Sequence, residues 1–262
     1  MLLAIDCGNT HVVFGIFNHS KLSYSWRVET SETNNKQRFF STFLKRLEII
    51  GLNLNQITDV IFASVVLEAA DCFKFLENSI AIPFRSIMDP SIILPIDIDL
   101  PDPSQVGADR IVNAVAGSLL TQSDVIIVDF GTATTFDVVQ VTGGRPIYKG
   151  GIIAPGVNLS IEALSKAASK LPKIDLNNHP EYVQVIGTNT QEAMWSGITW
   201  GYVGLIEGII QKIKIESDCE FEIIATGGLA KLYFPYCDLI KIQEPDLILV
   251  GLQHIARING YE

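Results

Sequence analysis

Two stretches of the chain repeat one pattern: LLAIDCGNTHVVFGIF at its start and VIIVDFGTATTFDVVQV in its middle. In each, an apolar run ends in an aspartate, a glycine follows, small hydroxyl or amide residues come next, and a second apolar run returns. The first copy is Asp6-Cys7-Gly8-Asn9-Thr10 and the second is Asp129-Phe130-Gly131-Thr132-Ala133-Thr134. Each reads as a strand, a tight turn and a returning strand. Glycine lets backbone N–H groups approach an anion, and Thr or Asn adds donors. An aspartate beside a phosphate is repulsive unless a cation lies between them, so the pattern implies a metal-bound polyphosphate. A single copy reads as readily as an ordinary hairpin, but two on matching scaffolds do not.

Composition narrows the classes. The 262 residues fit one large domain or two small ones. With 48% apolar and 18% charged residues, a sizeable core can be buried and disorder is excluded. The net charge of −10 argues against nucleic-acid or anionic-membrane partners, so an anionic ligand must be drawn by local donors and metal. The same net charge fits a soluble cytoplasmic protein; no apolar run reaches the length of a transmembrane helix, and the first residues enter a strand without a charged leader. Cys7, Cys72, Cys219 and Cys237 have no paired spacing and read as free thiols of a reducing compartment. His11, His19, His179 and His254 are too scattered for a zinc site.

The order of elements also repeats. Apolar alternation predicts strands over 2–6, 11–17 and 21–29, a helix over 34–50, a strand over 59–65, a helix over 67–78 and a strand over 84–88. The run PSIILPIDIDLPDPSQVG is too proline-rich for a helix and ends at Gly107-Ala108-Asp109-Arg110, which opens one reaching residue 121. Strands then recur over 124–129, 134–141 and 146–150, followed by a loop Gly150–Gly156 and helices over 157–169 and 191–217. A strand over 220–226, a short helix, a strand near 238–242 and a helix over 245–257 complete the pattern. Gly197, Gly201, Gly204 and Gly208 form a ladder on the long helix that favours tight packing against another backbone, across a subunit interface for instance. Three antiparallel strands followed by a helix and a parallel strand, used twice, imply two mixed α/β halves facing one another across a cleft. We place them at residues 1–115 and 116–262.

These residues resemble the superfamily of sugar kinases, heat-shock chaperones and actin, and more closely the type III pantothenate kinases. The resemblance rests on Asp6-x-Gly8-Asn9-Thr10 with Gly15, Trp26-Arg27-Val28-x-Thr30, Gly107-Ala108-Asp109-Arg110, and Asp129-x-Gly131-Thr132-Ala133-Thr134-Thr135. It continues through Gly151-x-Ile153-x-Pro155-Gly156, Gly187-x-Asn189-Thr190 with Ser196-Gly197, and Thr226-Gly227-Gly228. It implies two tandem ribonuclease H-like, actin-like ATPase halves, each a mixed β-sheet flanked by helices. It further implies ATP-dependent phosphorylation of pantothenate to 4′-phosphopantothenate, the first step of coenzyme A synthesis, by a cytoplasmic homodimer. By the same resemblance Asp6, Cys7, Gly8, Asn9, Thr10, His11, Val12 and Val13 form the ATP phosphate loop, and Thr132 also touches ATP. Asp129 matches the position that holds a monovalent cation, K⁺ or NH₄⁺. Gly107, Ala108, Asp109 and Arg110 match the pantothenate segment with Asp109 as general base, and Thr190 matches a further pantothenate contact near the dimer interface. Leu100 departs from the pattern, since the family often has Tyr there, and one substrate hydroxyl contact goes with it.

Each residue also has a plainer reading. Asp6 either holds Mg²⁺, directly or through water, or merely shapes its turn. Asp109 either orients the pantothenate hydroxyl or caps the helix that follows, and the two are compatible. Arg110 pairs with a substrate carboxylate, a phosphate or a nearby acidic residue. Gly227-Gly228 admits a planar adenine or is a plain strand-to-helix turn. Trp26-Arg27 and Trp195 read as packing or interface residues rather than catalytic ones. Two other classes compete with a kinase: a non-catalytic relative of the fold, and an actin-like or chaperone ATPase. Three costly carboxylates, Asp6, Asp109 and Asp129, argue against the first. The short chain argues against the second.

Overall fold

The computed structural model describes residues 1–168 and 171–261. The first stretch gives β1 (Leu2–Cys7), β2 (His11–Asn18), β3 (Lys21–Glu29), α1 (Lys36–Ile49), β4 (Asp59–Ser64), α2 (Ala70–Ile80) and β5 (Phe84–Ser86). A short β6 (Asp97–Ile98) precedes α3 (Ala108–Thr121). Next come β7 (Val125–Phe130), β8 (Ala133–Thr142), β9 (Arg145–Pro155), α4 (Val157–Ala167) and α5 (Thr190–Ser217). The chain closes with β10 (Glu222–Thr226), α6 (Ala230–Tyr233), β11 (Ile242–Gln243) and α7 (Leu247–Ile258). Two compact units result: Met1–Leu120 with Thr142–Tyr148 and Asp246–Glu262, and Thr121–Val141 with Lys149–Pro245.

The repeat seen in the sequence is a repeat of topology. One sheet has the order β3-β2-β1-β4-β5, and the strands β9-β8-β7-β10-β11 follow the same order in the other. In both, the first strand is antiparallel to its hairpin partner and parallel to the strand that returns after the helix. Each aspartate of the repeated motif is the last residue but one of β1 or β7, the central strands of these matching orders.

In the first unit, alternation along β1 and β2 sends Leu3, Ile5, Cys7, Val12, Phe14 and Ile16 to one face, against Phe39, Phe43 and Leu47 of α1 and Phe73 and Leu76 of α2. Helix α1 starts where the Asn35 side chain accepts the Arg38 N–H at 3.0 Å. On the other face of the sheet, a Cβ at Gly15 would lie 2.9 Å from Leu249 Cδ1, so glycine there lets α7 approach. Deleting buried methylenes here, as in Ile5→Ala, costs about 2–5 kcal/mol.

In the second unit, Ile126, Val128, Phe130, Phe136 and Val138 pack against Trp195, Ile198, Tyr202, Ile206 and Ile210 of α5. Asn189 caps α5, accepting the Glu192 N–H at 2.9 Å. The two-residue turn Gly143-Gly144 has φ +60° and +78°, the backbone that a tight hairpin needs.

Several expected boundaries move. Strand β9 runs to Pro155 instead of giving way to a loop at Gly150, because Gly150 takes φ +115° and the strand continues through it. The proline-rich run is extended as expected, yet it contains β6, which pairs in parallel with Ile147 and Tyr148. A 3₁₀ turn over Thr30–Asn34 precedes α1 and delays its start. Strand β11 begins at Ile242, later than expected. Helix α4 ends at Ala167, and the expected end at residue 169 lies outside the described residues. Gly197, Gly201, Gly204 and Gly208 lie on an exposed face of α5 where an added Cβ would meet nothing within 4 Å among the described residues. Among the described residues, no helix is long and apolar enough to cross a membrane.

Candidate active site

The first turn joins β1 to β2. Its last paired residues are Cys7 and Val12, which leaves Gly8, Asn9, Thr10 and His11 as the turn. Gly8 N–H donates to His11 O at 3.0 Å. Asn9, Thr10 and His11 are exposed, while Cys7 and Val12 are fully buried in the core. Alternation thus divides the expected ATP contacts: the Cys7 and Val12 side chains belong to the core, and only their main chain is available to a ligand. Burial pushes the Cys7 thiol up to about 11, against a smaller lowering by a hydrogen bond with Ser64. It stays protonated at neutral pH and is not a nucleophile. Asp6 pairs with Val13 on the opposite face and is half-buried.

Thr30, which follows β3, closes this turn from outside. Its N–H donates to Thr10 O at 2.9 Å and its hydroxyl donates to Gly8 O at 2.6 Å. Trp26 and Val28 share one strand face, Thr30 follows at the same parity just past the strand end, and Trp26 stacks on Phe14 with ring centroids 5.0 Å apart. The Trp-Arg-Val-x-Thr motif is thereby explained: Trp26 packs, as expected, and Thr30 reaches the turn. Sequence reasoning gave Thr30 no role; its only signal was the strand parity it shares with Trp26.

The Gly107–Arg110 segment comes to the same end of the sheet. Val65 N–H donates to Cys7 O at 3.1 Å, directly beside the turn. A Cβ at Gly107 would lie 3.6 Å from Val65 Cγ1, so α3 begins against the residue that flanks the turn. Ile111 N–H donates to Gly107 O at 3.2 Å, making Gly107 the N-cap and Asp109 a residue of the first helical turn. The capping alternative for Asp109 therefore falls. Its Oδ1 accepts the Arg110 N–H at 2.8 Å, and a Cβ at Gly107 would come within 2.6 Å of that oxygen. Glycine at 107 is what lets the carboxylate fold back over the helix start. Burial raises the Asp109 pKa above the ordinary aspartate value, with the Arg110 N–H and the Arg110 charge opposing. A carboxylate so shifted is a better proton acceptor than a solvated one. Ala108 is buried, Arg110 and Leu100 are half-buried, and all belong to the first unit.

The second turn joins β7 to β8 and is one residue shorter: Gly131, Thr132 and Ala133 lie between the paired Phe130 and Thr134. Gly131 N–H donates to Ala133 O at 3.1 Å. Two glycines from elsewhere press on it. A Cβ at Gly156 would collide with the Thr132 carbonyl, and one at Gly227, with φ +88°, would collide with the Asp129 carboxylate and the Phe130 backbone. Gly227 therefore has a use that neither sequence reading gave it, namely to leave the Asp129 carboxylate in place. Trp195 is buried in the core of this unit, as its packing reading expects. Thr190 is the exposed first residue of α5, set by a cap in which Glu192 Oε2 accepts the Thr188 hydroxyl at 2.7 Å.

Among the described residues, no group of three or more His, Cys, Asp or Glu side chains could hold a metal ion by itself. Asp6 and Asp129 each offer carboxylate oxygen at a strand end beside a glycine turn. Oxygen donors suit hard cations such as Mg²⁺ or K⁺, especially with phosphate and water completing the shell.

Comparison with known proteins agrees with this geometry. The family described as type III pantothenate kinase matches residues 2–212. A type III pantothenate kinase of Ruegeria sp. (strain TM1040) is 41% identical over 260 residues, covering 99% of this chain and 97% of the relative. Another, of Paramagnetospirillum magneticum (strain ATCC 700264 / AMB-1), is 43% identical over 261 residues, covering 99% and 98%. Among solved structures, a Campylobacter jejuni protein described as a Baf family transcriptional activator aligns over 98% of both chains with a TM-score of 0.63 and 20% identity. Component A of the Acidaminococcus fermentans (R)-2-hydroxyglutaryl-CoA dehydratase aligns over 97% of this chain and 95% of its own, with a TM-score of 0.56 and 14% identity. Those two likenesses establish the fold alone, two mixed sheets flanked by helices. The match over almost the whole length, on a sheet repeat that ends in two Asp-x-Gly turns, settles the rest: the chain belongs to the type III pantothenate kinase family.

Proposed function

We infer that this chain transfers the γ-phosphoryl group of ATP to pantothenate, giving ADP and 4′-phosphopantothenate, the first step of coenzyme A biosynthesis. The observation that carries the reading is the meeting of two distant segments. Val65 bonds to Cys7 at the phosphate-type turn, and its Cγ1 lies 3.6 Å from where a Cβ of Gly107 would stand, just before the helix that carries Asp109.

Phosphoryl transfer needs positioning and charge neutralisation more than covalent help. The turn Gly8–His11, with Asp6 and Val13 beside it, is proposed to receive the ATP phosphates, and Thr132 to add a second contact. Gly107, Ala108 and Arg110, with Leu100 and Thr190, are proposed to hold pantothenate. Asp109 orients the primary hydroxyl of pantothenate. As that oxygen bonds to the γ-phosphorus and the bond to the ADP oxygen breaks, the hydroxyl proton passes to the Asp109 carboxylate. Its raised pKa supports that role. We assign Mg²⁺ to Asp6 and K⁺ or NH₄⁺ to Asp129. Such ions, when bound, offset the negative charge of the phosphates beside these two carboxylates.

The partition into ATPase halves at 1–115 and 116–262 is proposed on the repeated strand order. Cytoplasmic residence is proposed with it, on the buried free cysteines Cys7, Cys72 and Cys237. A homodimer is proposed on the open glycine face of α5 and on Tyr182, Val185 and Ile186, which are exposed apolar residues of the same unit. The test of the activity is incubation with ATP, Mg²⁺, K⁺ and pantothenate, with product identified by mass. Phosphopantothenate is expected. Phosphorylation of another small alcohol in its place would overturn the substrate, and ATP hydrolysis with no acceptor would favour an ATPase.

A further inference from the structure

Two carbonyls of the first turn, those of Gly8 and Thr10, are taken by one residue outside it. Thr30 gives its hydroxyl to the first and its N–H to the second. Thr30 is itself fixed: it is buried, and its own carbonyl accepts the Thr33 hydroxyl at 2.7 Å. A free turn of this length leaves its peptide planes able to rotate, and a carbonyl turned toward an anion would repel it. The peptide bonds here are all trans and planar, so a carbonyl and the next N–H point in opposite directions. Drawing the Gly8 carbonyl toward Thr30 turns the Asn9 N–H away from Thr30.

We propose that Thr30 is a positioning residue for ATP: by holding the Gly8 and Thr10 carbonyls toward itself it leaves the N–H on the far side of the Gly8–Asn9 peptide to face phosphate. The proposal rests on the assignment of this turn to ATP. Thr30 acts through the main chain of this turn, so its effect belongs to nucleotide binding rather than to pantothenate binding. Thr30→Val keeps the β-branched shape and the main-chain bond to Thr10 while deleting the hydroxyl bond to Gly8. Thr30→Ser restores the hydroxyl.

The experiment has two readouts on wild type, Thr30→Val and Thr30→Ser. The first is steady-state kinetics with each substrate varied. Thr30→Val should raise KM for ATP about tenfold, the effect of one lost hydrogen bond, with KM for pantothenate unchanged and Thr30→Ser close to wild type. The second is hydrogen exchange of the segment 6–12, which needs no activity. It should quicken in Thr30→Val and not in Thr30→Ser, with the strands of both sheets equally protected. An unchanged KM for ATP with unchanged exchange would overturn the proposal, and so would equal rises in both KM values. If Thr30→Val fails to fold, Thr30→Ala serves in the same two readouts. If wild type neither binds nor uses ATP, the assignment of the turn fails, while the exchange comparison still decides whether Thr30 sets its geometry.

Discussion

The two Asp-x-Gly turns share a motif and a place in their sheets, yet they are held in different ways. The first is longer by one residue, and a polar residue, Thr30, restrains it through two of its carbonyls. The second is shorter and restrained by contact: Gly156 against the Thr132 carbonyl and Gly227 against Asp129. Hydrogen bonds fix where dipoles point, whereas close backbone contact fixes where a side chain sits. A turn built to present N–H groups suits phosphate, and a turn built to hold one carboxylate in place suits a cation. The first also has a chemical neighbour, since Val65 links it to the helix that carries Asp109. On the proposed assignments the same motif serves two tasks, and substitutions can separate them.

The largest expected effect is on Asp109. Asp109→Asn should lower kcat/KM by roughly 10²–10⁴ and leave the fold intact, because Asn can still accept the Arg110 N–H. Its stability effect has a definite sign. The folded pKa is raised, so the folded chain keeps this proton to higher pH than the unfolded chain does. Stability from this group is therefore full below the ordinary aspartate range, about 3.9, and falls as pH rises through the folded pKa. At neutral pH the Asn variant should melt no lower than wild type. For the same reason the acid limb of kcat/KM in the wild type should lie above the ordinary aspartate value. A variant that melts lower at pH 7 but keeps its turnover would separate Asp109 from the first turn's chemistry.

Next comes Gly227→Ala. A Cβ there enters the Asp129 carboxylate at a backbone conformation that disfavours any side chain, at a cost of about 3 kcal/mol or more. The thermal midpoint should fall by roughly 6–12 °C. A shift of a degree or two would mean that the second turn yields, and the contrast between the turns would weaken.

A smaller effect is expected from the cation. Replacing K⁺ by Na⁺ should lower activity several-fold in wild type, and Asp129→Asn should make the enzyme indifferent to the swap. Sensitivity that survives in Asp129→Asn would remove the cation from the second turn. The smallest effect belongs to Gly8→Ala, whose Cβ would lie 3.4 Å from His11 O in a turn otherwise open. It should cost about 0.5 kcal/mol or less, and a loss as large as that of Gly227→Ala would erase the distinction.

Much of this molecule was legible in the sequence because its signals are local. Apolar alternation and turn residues found the strands of both hairpins, and the repeat disclosed the shared topology. What was not legible depends on approach between distant segments. Nothing local says that Gly227 will cross Asp129, that Gly107 will make room for the Asp109 carboxylate, or that Thr30 will reach Gly8. The motif list contained all three residues without their tasks. Gly150 misled in the other direction, since glycine read as the end of a strand proved to be a point inside one. The α5 glycines, singled out as a packing face, form an exposed one, with no described residue within 4 Å of an added Cβ.

The measurement closest to the central claim is product formation from ATP and pantothenate in the presence of Mg²⁺ and K⁺, run side by side on wild type and Asp109→Asn. The account predicts phosphopantothenate from wild type and at most about one-hundredth of that rate from the equally folded variant. Undiminished phosphopantothenate from Asp109→Asn would contradict it.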